Sequence, residues 1–196
     1  MLIYMIRHGQ TDWNAEGRFQ GQHDIPLNAK GRGQAIANGE VMDHVLGGDA
    51  AAFDFVASPL GRTRETMERV RTAMGLEPKD YRTDERLVEI CFGDWEGNTY
   101  SELETRYPEH IAQRSSNKWD FIPPGELAES YEILSWRVGA WLATVNRPTI
   151  CVSHGGVMRS IFKLVGLSPP EEACDIGIHQ DRILKVETDT NSVGWL

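Results

Sequence analysis

Two histidines in this sequence each follow a short apolar run and precede glycine: Ile6-Arg7-His8-Gly9 and Val152-Ser153-His154-Gly155-Gly156. A third apolar run ends at Ser58-Pro59, and Arg62 follows within one helical turn of it. Guanidinium forks match phosphate oxygens bidentately and stay charged at any biological pH. A neutral imidazole, with an ordinary pKa near ~6.5, is a nitrogen nucleophile at neutral pH. Glycine after each histidine lets the backbone approach a ligand closely. If Gly155 or Gly156 opens a helix, its N–H groups add dipoles that favour an anion. Together these residues read as a phosphoryl site with a nitrogen nucleophile, its positive charge supplied by arginine. The chemical rival is a metal centre, but there is no H-x-H, H-E-x-x-H or D-x-D pattern. Flanking arginines would repel a cation, so no metal site is expected.

Each residue alone has a plainer reading. A histidine at a strand end is commonly a structural hydrogen-bonder. Arg62 could pair with Glu65 on its own helix face for a few tenths of a kcal/mol. What raises the set above those readings is the elements that would carry it. Residues 2–6, 53–57 and 149–153 are short apolar runs of the kind buried on both faces of a parallel sheet. Residues 182–187 alternate weakly and form a further candidate strand. Ser58-Pro59 resembles an N-cap followed by proline at the first helical position. Leu60, Met67, Val70 and Met74 then share a helical face. Residues 33–46, 128–146 and 156–165 are also expected to be helical, the second with a stripe of Tyr131, Leu134, Val138, Leu142 and Val145. Strands alternating with helices predict an α/β fold, in which ligands sit beyond the carboxyl ends of the strands. His8, His154 and Ser58 all fall there.

Composition narrows the function classes. The chain has 196 residues, with 40% hydrophobic and 25% charged, which suits an ordinary globular domain. Twenty Lys and Arg against 29 Asp and Glu leave a formal charge of −9, the wrong sign for a nucleic-acid or anionic-membrane binder. The opening run Leu2-Ile3-Tyr4-Met5-Ile6 is too short to span a bilayer, and its positive charge follows rather than precedes it. A cytoplasmic location is expected. The three cysteines, Cys91, Cys151 and Cys174, are scattered and read as small buried residues, with a minor oxidation liability at Cys91. Trp13, Trp95, Trp136 and Trp141 read as core or lid packing, and His23, His44, His110 and His179 as surface or loop residues.

Arg7-His8-Gly9-Gln10-Thr11-Asp12-Trp13-Asn14 resembles the R-H-G-x-T-x-x-N signature of the histidine phosphatase superfamily, also called phosphoglycerate-mutase-like. The resemblance continues along the chain. Phe19-Gln20-Gly21-Gln22-His23-Asp24-Ile25-Pro26-Leu27-Asn28 resembles the family's second motif. Ser58-Pro59-Leu60-Gly61-Arg62-Thr63-Arg64-Glu65-Thr66 is similar to S-x-L-x-R-x-x-x-T. Leu87-Val88-Glu89-Ile90-Cys91-Phe92-Gly93-Asp94-Trp95-Glu96-Gly97 is similar to L-x-E-x-x-F-G-x-W-E-G, and Ser153-His154-Gly155-Gly156 to the closing S-H-G-G. The resemblance implies one three-layer α/β domain over residues 1–196, with a mostly parallel sheet. Small helical cap elements inserted at about 90–140 would cover the carboxyl ends of the strands.

The same resemblance implies roles. His8 would be the nucleophile that becomes phosphohistidine. Arg7, Arg62 and His154 would grip the transferring phosphoryl group, with Asn14 and the Gly155 N–H adding contacts. Glu89 would be the acid for the leaving oxygen and then the base for water. Gln20 and Gly21 would line the substrate entrance. No cofactor is implied, except 2,3-bisphosphoglycerate as a primer if the protein is a mutase. The partner implied is a small phosphorylated metabolite, with a dimer possible.

The family holds hydrolases and isomerases. Its mutases carry longer insertions and an R-H-Y-G-like block, where this chain has Phe92-Gly93-Asp94-Trp95-Glu96-Gly97. A short cap lets water reach the phosphohistidine, which favours the short-cap phosphatase branch. The alternatives are a cofactor-dependent phosphoglycerate mutase and a non-catalytic phospho-ligand binder. The binder is disfavoured because both His8 and Glu89 are present. One departure concerns P-G-G-E-S, replaced here by Pro123-Pro124-Gly125-Glu126-Leu127-Ala128-Glu129-Ser130. It leaves substrate contacts near Glu129 and Ser130 open. Charge is also uneven: residues 62–71 hold four Arg against two Glu, while residues 80–104 hold two Arg against eight acids. That pattern suits a short-range arginine pocket in an acidic exterior, and a compact phosphomonoester as ligand.

Overall fold

Successive residues of the central strands point to opposite faces of the sheet, and both faces are buried. A computed structural model, describing residues 1–196, contains six strands: β1 (Leu2–Arg7), β2 (Asp54–Ala57), β3 (Arg82–Thr83), β4 (Thr149–Ser153), β5 (Ile183–Glu187) and β6 (Ser192–Trp195). They form one sheet in the order β3-β2-β4-β1-β5-β6. The first four are mutually parallel. β5 runs antiparallel to β1, and β6 antiparallel to β5. The helices are α1 (Asp12–Glu16), α2 (Ala29–Leu46), α3 (Gly61–Ala73), α4 (Tyr100–Arg106), α5 (Pro108–Ser116), α6 (Tyr131–Leu142), α7 (Gly155–Leu164) and α8 (Pro170–Ala173).

Ile3, Met5, Val56 and Cys151 share one face of the sheet with Leu134 and Val138 of α6 and Met158 and Ile161 of α7. Tyr4, Ile6, Phe55, Ala57, Ile150 and Val152 face the other way, against Met42 of α2 and Met67 and Val70 of α3. This is the two-residue period of a strand buried on both sides. The expected α/β architecture with a mostly parallel sheet flanked by helices is therefore the observed one. Each fully buried large apolar side chain contributes about 1.5–3 kcal/mol through burial. A third, smaller cluster of Trp95, Leu103 and Ile111 is joined by Phe19, Phe92 and Phe121. Apart from Phe19, its residues fall in the segment where the sequence predicts cap elements.

Two local expectations are corrected. Helix α3 begins at Gly61, not at Pro59, and Leu60 at its N-cap makes no side-chain capping bond. Its first-turn donors are instead taken by Asp24, whose carboxylate accepts from Gly61 N (2.6 Å) and Arg62 N (3.2 Å). Trp136 is 66% exposed rather than packed, while Trp95 and Trp141 are fully buried. Strands β3 and β6 go unpredicted; β3 is two exposed residues at a sheet edge, and β6 alternates between exposed and half-buried. Cys151 and Cys174 are buried and Cys91 is half-buried, and burial raises all three thiols above the ordinary cysteine value. Cys91 is thereby kept a protonated, less reactive thiol. No helix is long and apolar enough to cross a membrane.

Candidate active site

The parallel ladder runs one residue past each strand end. His8 N donates to Ser153 O (2.9 Å), and Ser58 N donates to Val152 O (3.0 Å). This register sets His8, Ser58 and His154 side by side. They stand at one mouth of the sheet, beside a cavity of about 360 Å³. Arg7, His8, Asn14, Gln20, Gly21, Arg62, Glu89 and Gly155 border that cavity. His154 does not: it is fully buried behind them.

Hydrogen bonding assigns the imidazole tautomers. His8 Nδ1 lies 2.8 Å from Gly9 O, which can only accept, so Nδ1 carries the proton. The lone pair of His8 Nε2 is left free. Arg62 Nη2 donates to His154 Nδ1 (3.3 Å), so His154 is protonated at Nε2, which donates to Ser58 Oγ (2.8 Å). The two rings meet edge to face, with centroids 5.2 Å apart. Burial and the neighbouring Arg62 and Arg7 push His8 well below the ordinary histidine value. Burial, Arg62 and His8 do the same for His154. Both rings are neutral at physiological pH.

The two predicted arginines differ. Arg62, 1% exposed, has its donors engaged: Nη2 with Gly21 O (2.6 Å) and His154, Nη1 with His23 O (2.6 Å). Gln20 completes the set, its amide oxygen accepting from Arg62 Nε (3.0 Å) and Nη1 (3.1 Å). The opposite amide orientation would set an NH2 group against the guanidinium. Arg62 thus fixes the 20–23 loop and presents a fixed charge. Arg7 gives Nη1 to Ile178 O (2.9 Å), while its buried Nε has no partner in the protein. A buried N–H without an acceptor is costly unless a ligand supplies one. Burial lowers both guanidinium groups to about 10, so both remain cations at neutral pH.

Glu89 enters from the opposite side. Its carboxylate accepts from Gly156 N (3.1 Å to each oxygen) and from Ile90 N (2.9 Å). A Cβ on residue 156 would collide with that carboxylate, so glycine there is a requirement of close approach. The backbone behind Glu89 is held by Arg137 of α6, which donates to the carbonyls of Arg86 (2.9 Å), Val88 (2.5 Å) and Glu89 (3.0 Å). Arg137 in turn forms a two-pronged pair with Glu129 (2.9 Å each), and Cys91 N donates to Glu129 (3.0 Å). Ser130 caps α6 by accepting from Ile133 N (3.2 Å). Glu129 and Ser130 therefore position the Glu89 segment and the helix beside it, and neither borders the cavity.

Sequence reading misses several residues here. Ser58 belongs to a matched motif, but the motif does not reveal that its hydroxyl serves His154. Gln180 comes from the loop before β5 and ties the site together, donating to His8 O (3.1 Å) and Asn14 Oδ1 (3.0 Å). Arg159, Tyr131 and Arg18 also border the cavity. Arg159 stands one helical turn beyond Gly155, a spacing that could have marked it. Gln180 has no local signal. No group of three or more His, Cys, Asp or Glu side chains is arranged to hold a metal ion.

Residues 3–195 match the family model described as "Histidine phosphatase superfamily (branch 1)". A Citrobacter koseri protein named "Probable phosphoglycerate mutase GpmB" is 40% identical over 164 residues, which cover 79% of this chain and 70% of that protein. Among solved structures, a mycobacterial glucosyl-3-phosphoglycerate phosphatase superposes with a TM-score of 0.78 at 26% identity. The match covers 100% of this chain and 95% of that one. A candidate alpha-ribazole-5'-phosphate phosphatase from Escherichia coli superposes with a TM-score of 0.77 at 26% identity, covering 100% and 94%.

Proposed function

The chain belongs to the histidine phosphatase superfamily, branch 1, and from that premise we propose that it is a metal-independent phosphomonoesterase acting through phosphohistidine at His8. The observation that carries this reading is the His8 tautomer. Its Nδ1 proton is held by Gly9 O, its Nε2 lone pair is free, and a buried, unpartnered Arg7 Nε borders the same cavity. In a cycle that starts with Glu89 as the carboxylic acid, His8 Nε2 attacks phosphorus, and the P–O ester bond breaks as Glu89 gives its proton to the leaving oxygen. Water then attacks the phosphohistidine while Glu89 takes its proton. Inorganic phosphate leaves, and both residues return to their starting states.

Charge stabilisation comes from fixed arginines. Arg7 Nε and the Gly155 N–H at the start of α7 are donors for the equatorial oxygens. Arg62 supplies its charge, and its 3.3 Å hydrogen bond to His154 is the one it can exchange for a phosphoryl oxygen. Removing one such donor costs about 2.7–4 kcal/mol, or a hundred- to thousandfold in rate. Asn14, Gln20 and Gly21 bound the substrate on the α1 side.

The test is hydrolysis of para-nitrophenyl phosphate by purified protein without added metal. Turnover that survives a chelator and disappears in His8→Ala supports the reading; complete inhibition by the chelator overturns it. A second reading, phosphoglycerate mutase, is favoured by the name carried by the 40% identical relative. Efficient interconversion of 2- and 3-phosphoglycerate, primed by 2,3-bisphosphoglycerate and exceeding phosphate release, would establish that reading instead.

A further inference from the structure

Glu96 is a buried carboxylate that the reaction steps leave unused. Its side chain is only 5% exposed, and no lysine or arginine forms an ion pair with it. A buried carboxylate is costly unless hydrogen-bond donors surround it. Here they do. Oε1 accepts from Gln22 N (3.1 Å) and Phe92 N (3.0 Å). Oε2 accepts from His23 N (3.3 Å) and from Nδ1 of the His23 ring. These donors fill the roughly four acceptor sites of a carboxylate. Glu96 therefore has no site left for a substrate group, and it does not border the cavity.

What Glu96 holds is shared with Arg62. The Gly21–Gln22 peptide group is trans, so its C=O and N–H point in opposite directions. Arg62 Nη2 donates to that carbonyl (2.6 Å), and the N–H of the same group donates to Glu96. A carboxylate on one edge and a guanidinium on the other polarise the peptide group in the same sense, so each bond strengthens the other. Turning that peptide plane breaks both. Gly21 stands at φ +52°, and a Cβ there would fall on the Glu96 carboxylate, so the close approach depends on glycine. Two further contacts tie this loop to the segment that carries Glu89. Phe92 N donates to Glu96, and Gln22 Nε2 donates to Glu89 O (3.1 Å). Resting on the phosphomonoesterase reading, we infer that Glu96 is a positioning residue that acts through Arg62. It clamps the 20–23 loop between the 89–92 segment and the guanidinium, and so fixes where the Arg62 charge meets the phosphoryl group.

A double-mutant cycle on Glu96 and Arg62 tests this, read by para-nitrophenyl phosphate turnover and by calorimetric binding of inorganic phosphate. Para-nitrophenolate leaves without full protonation, so turnover of this ester reports the phosphoryl grip rather than Glu89. Glu96→Ala is expected to lower kcat/KM by about ten- to hundredfold, the range for a misplaced catalytic group, and to weaken phosphate binding. In an Arg62→Met background the same change should cost less than about threefold, because the charge it positions is gone. Glu96→Gln keeps an oxygen for Gln22 N and Phe92 N but sets an NH2 group against His23. It preserves shape, so it keeps the cycle readable if the alanine variant fails to fold. Its loss should be about three- to tenfold, again only when Arg62 is present. A purely structural role would lower both backgrounds by the same factor. Equal losses with and without Arg62, or phosphate binding indifferent to Glu96, overturn the positioning role. Absent turnover by the wild type, with phosphate binding that still depends on Glu96 only through Arg62, would sink the phosphomonoesterase reading and leave the positioning role standing.

Discussion

Replacing Arg137 with leucine perturbs Glu89 without touching the reacting atoms. Arg137 donates to three carbonyls of the 86–89 segment at 2.5–3.0 Å and pairs with Glu129 at 2.9 Å through two nitrogens. Only 21% of the Arg137 side chain and 14% of the Glu129 side chain is exposed. Leucine fills the space of the stem but leaves Glu129 without its cation and the carbonyls without a donor. Breaking a buried pair costs about 3–5 kcal/mol, and the residual exposure places this one at about 3 kcal/mol. For a chain of this size each kcal/mol moves Tm by about 2–4 °C, so Tm should fall by about 6–12 °C in calorimetry. The catalytic effect separates by leaving group. An alkyl phosphate needs a proton on its departing oxygen, and a misplaced Glu89 should slow it by up to about a hundredfold. Para-nitrophenolate departs without full protonation and should be much less affected. Equal losses on both esters, or a Tm shift under about 2 °C, would refute the positioning role of Arg137.

Other consequences follow from the same geometry. Because burial and Arg62 depress His8, its imidazole stays neutral as pH falls through the ordinary histidine value. An NMR titration of the free protein should find both His8 and His154 unprotonated at pH 6, and a midpoint near 6.5 for either ring would contradict their burial. Gly156→Ala drives a methyl group into the Glu89 carboxylate. Alkyl phosphate hydrolysis should then fall at least about tenfold while para-nitrophenyl phosphate still forms phosphoenzyme, the loss expected for a displaced acid. Ser58→Ala leaves the buried His154 Nε2–H without its acceptor and should cost about 1–3 kcal/mol in denaturant unfolding. No measurable change would mean that the hydroxyl is not His154's partner.

Much of the sheet was legible because its strands are apolar on both faces, a pattern that needs no long-range information. β4 spans Thr149–Ser153, the residues expected, and β1 gains only Arg7. β3 was illegible because an edge strand of two exposed residues carries no burial pattern. The start of α3 departs from the local sequence signal for a physical reason. Ser58 has the chemistry of an N-cap, but His154, nearly a hundred positions away, claims its hydroxyl, while Asp24 caps the helix from another loop. Long-range partners of this kind overrule local propensity. The candidate site divides along the same line. His8, Arg62 and Glu89 sit inside recognisable motifs, and topology brings them to one cavity. Gln180 and Tyr131 join them only through the crossover from α7 to β5 and the packing of α6, which no spacing announces. Charge patterning was similarly half-informative: of the four arginines in residues 62–71, Arg62 alone reaches the cavity.

The most direct measurement is the chemical identity of the phosphorylated residue. Protein mixed with a reactive phosphomonoester, quenched in alkali and digested, should yield one phosphopeptide by mass spectrometry. Its phosphate should sit on His8, survive base, be lost in acid, and be absent from His8→Ala. Phosphate found on another side chain, or unimpaired turnover by His8→Ala, would contradict the central claim that the free Nε2 of His8 is the nucleophile.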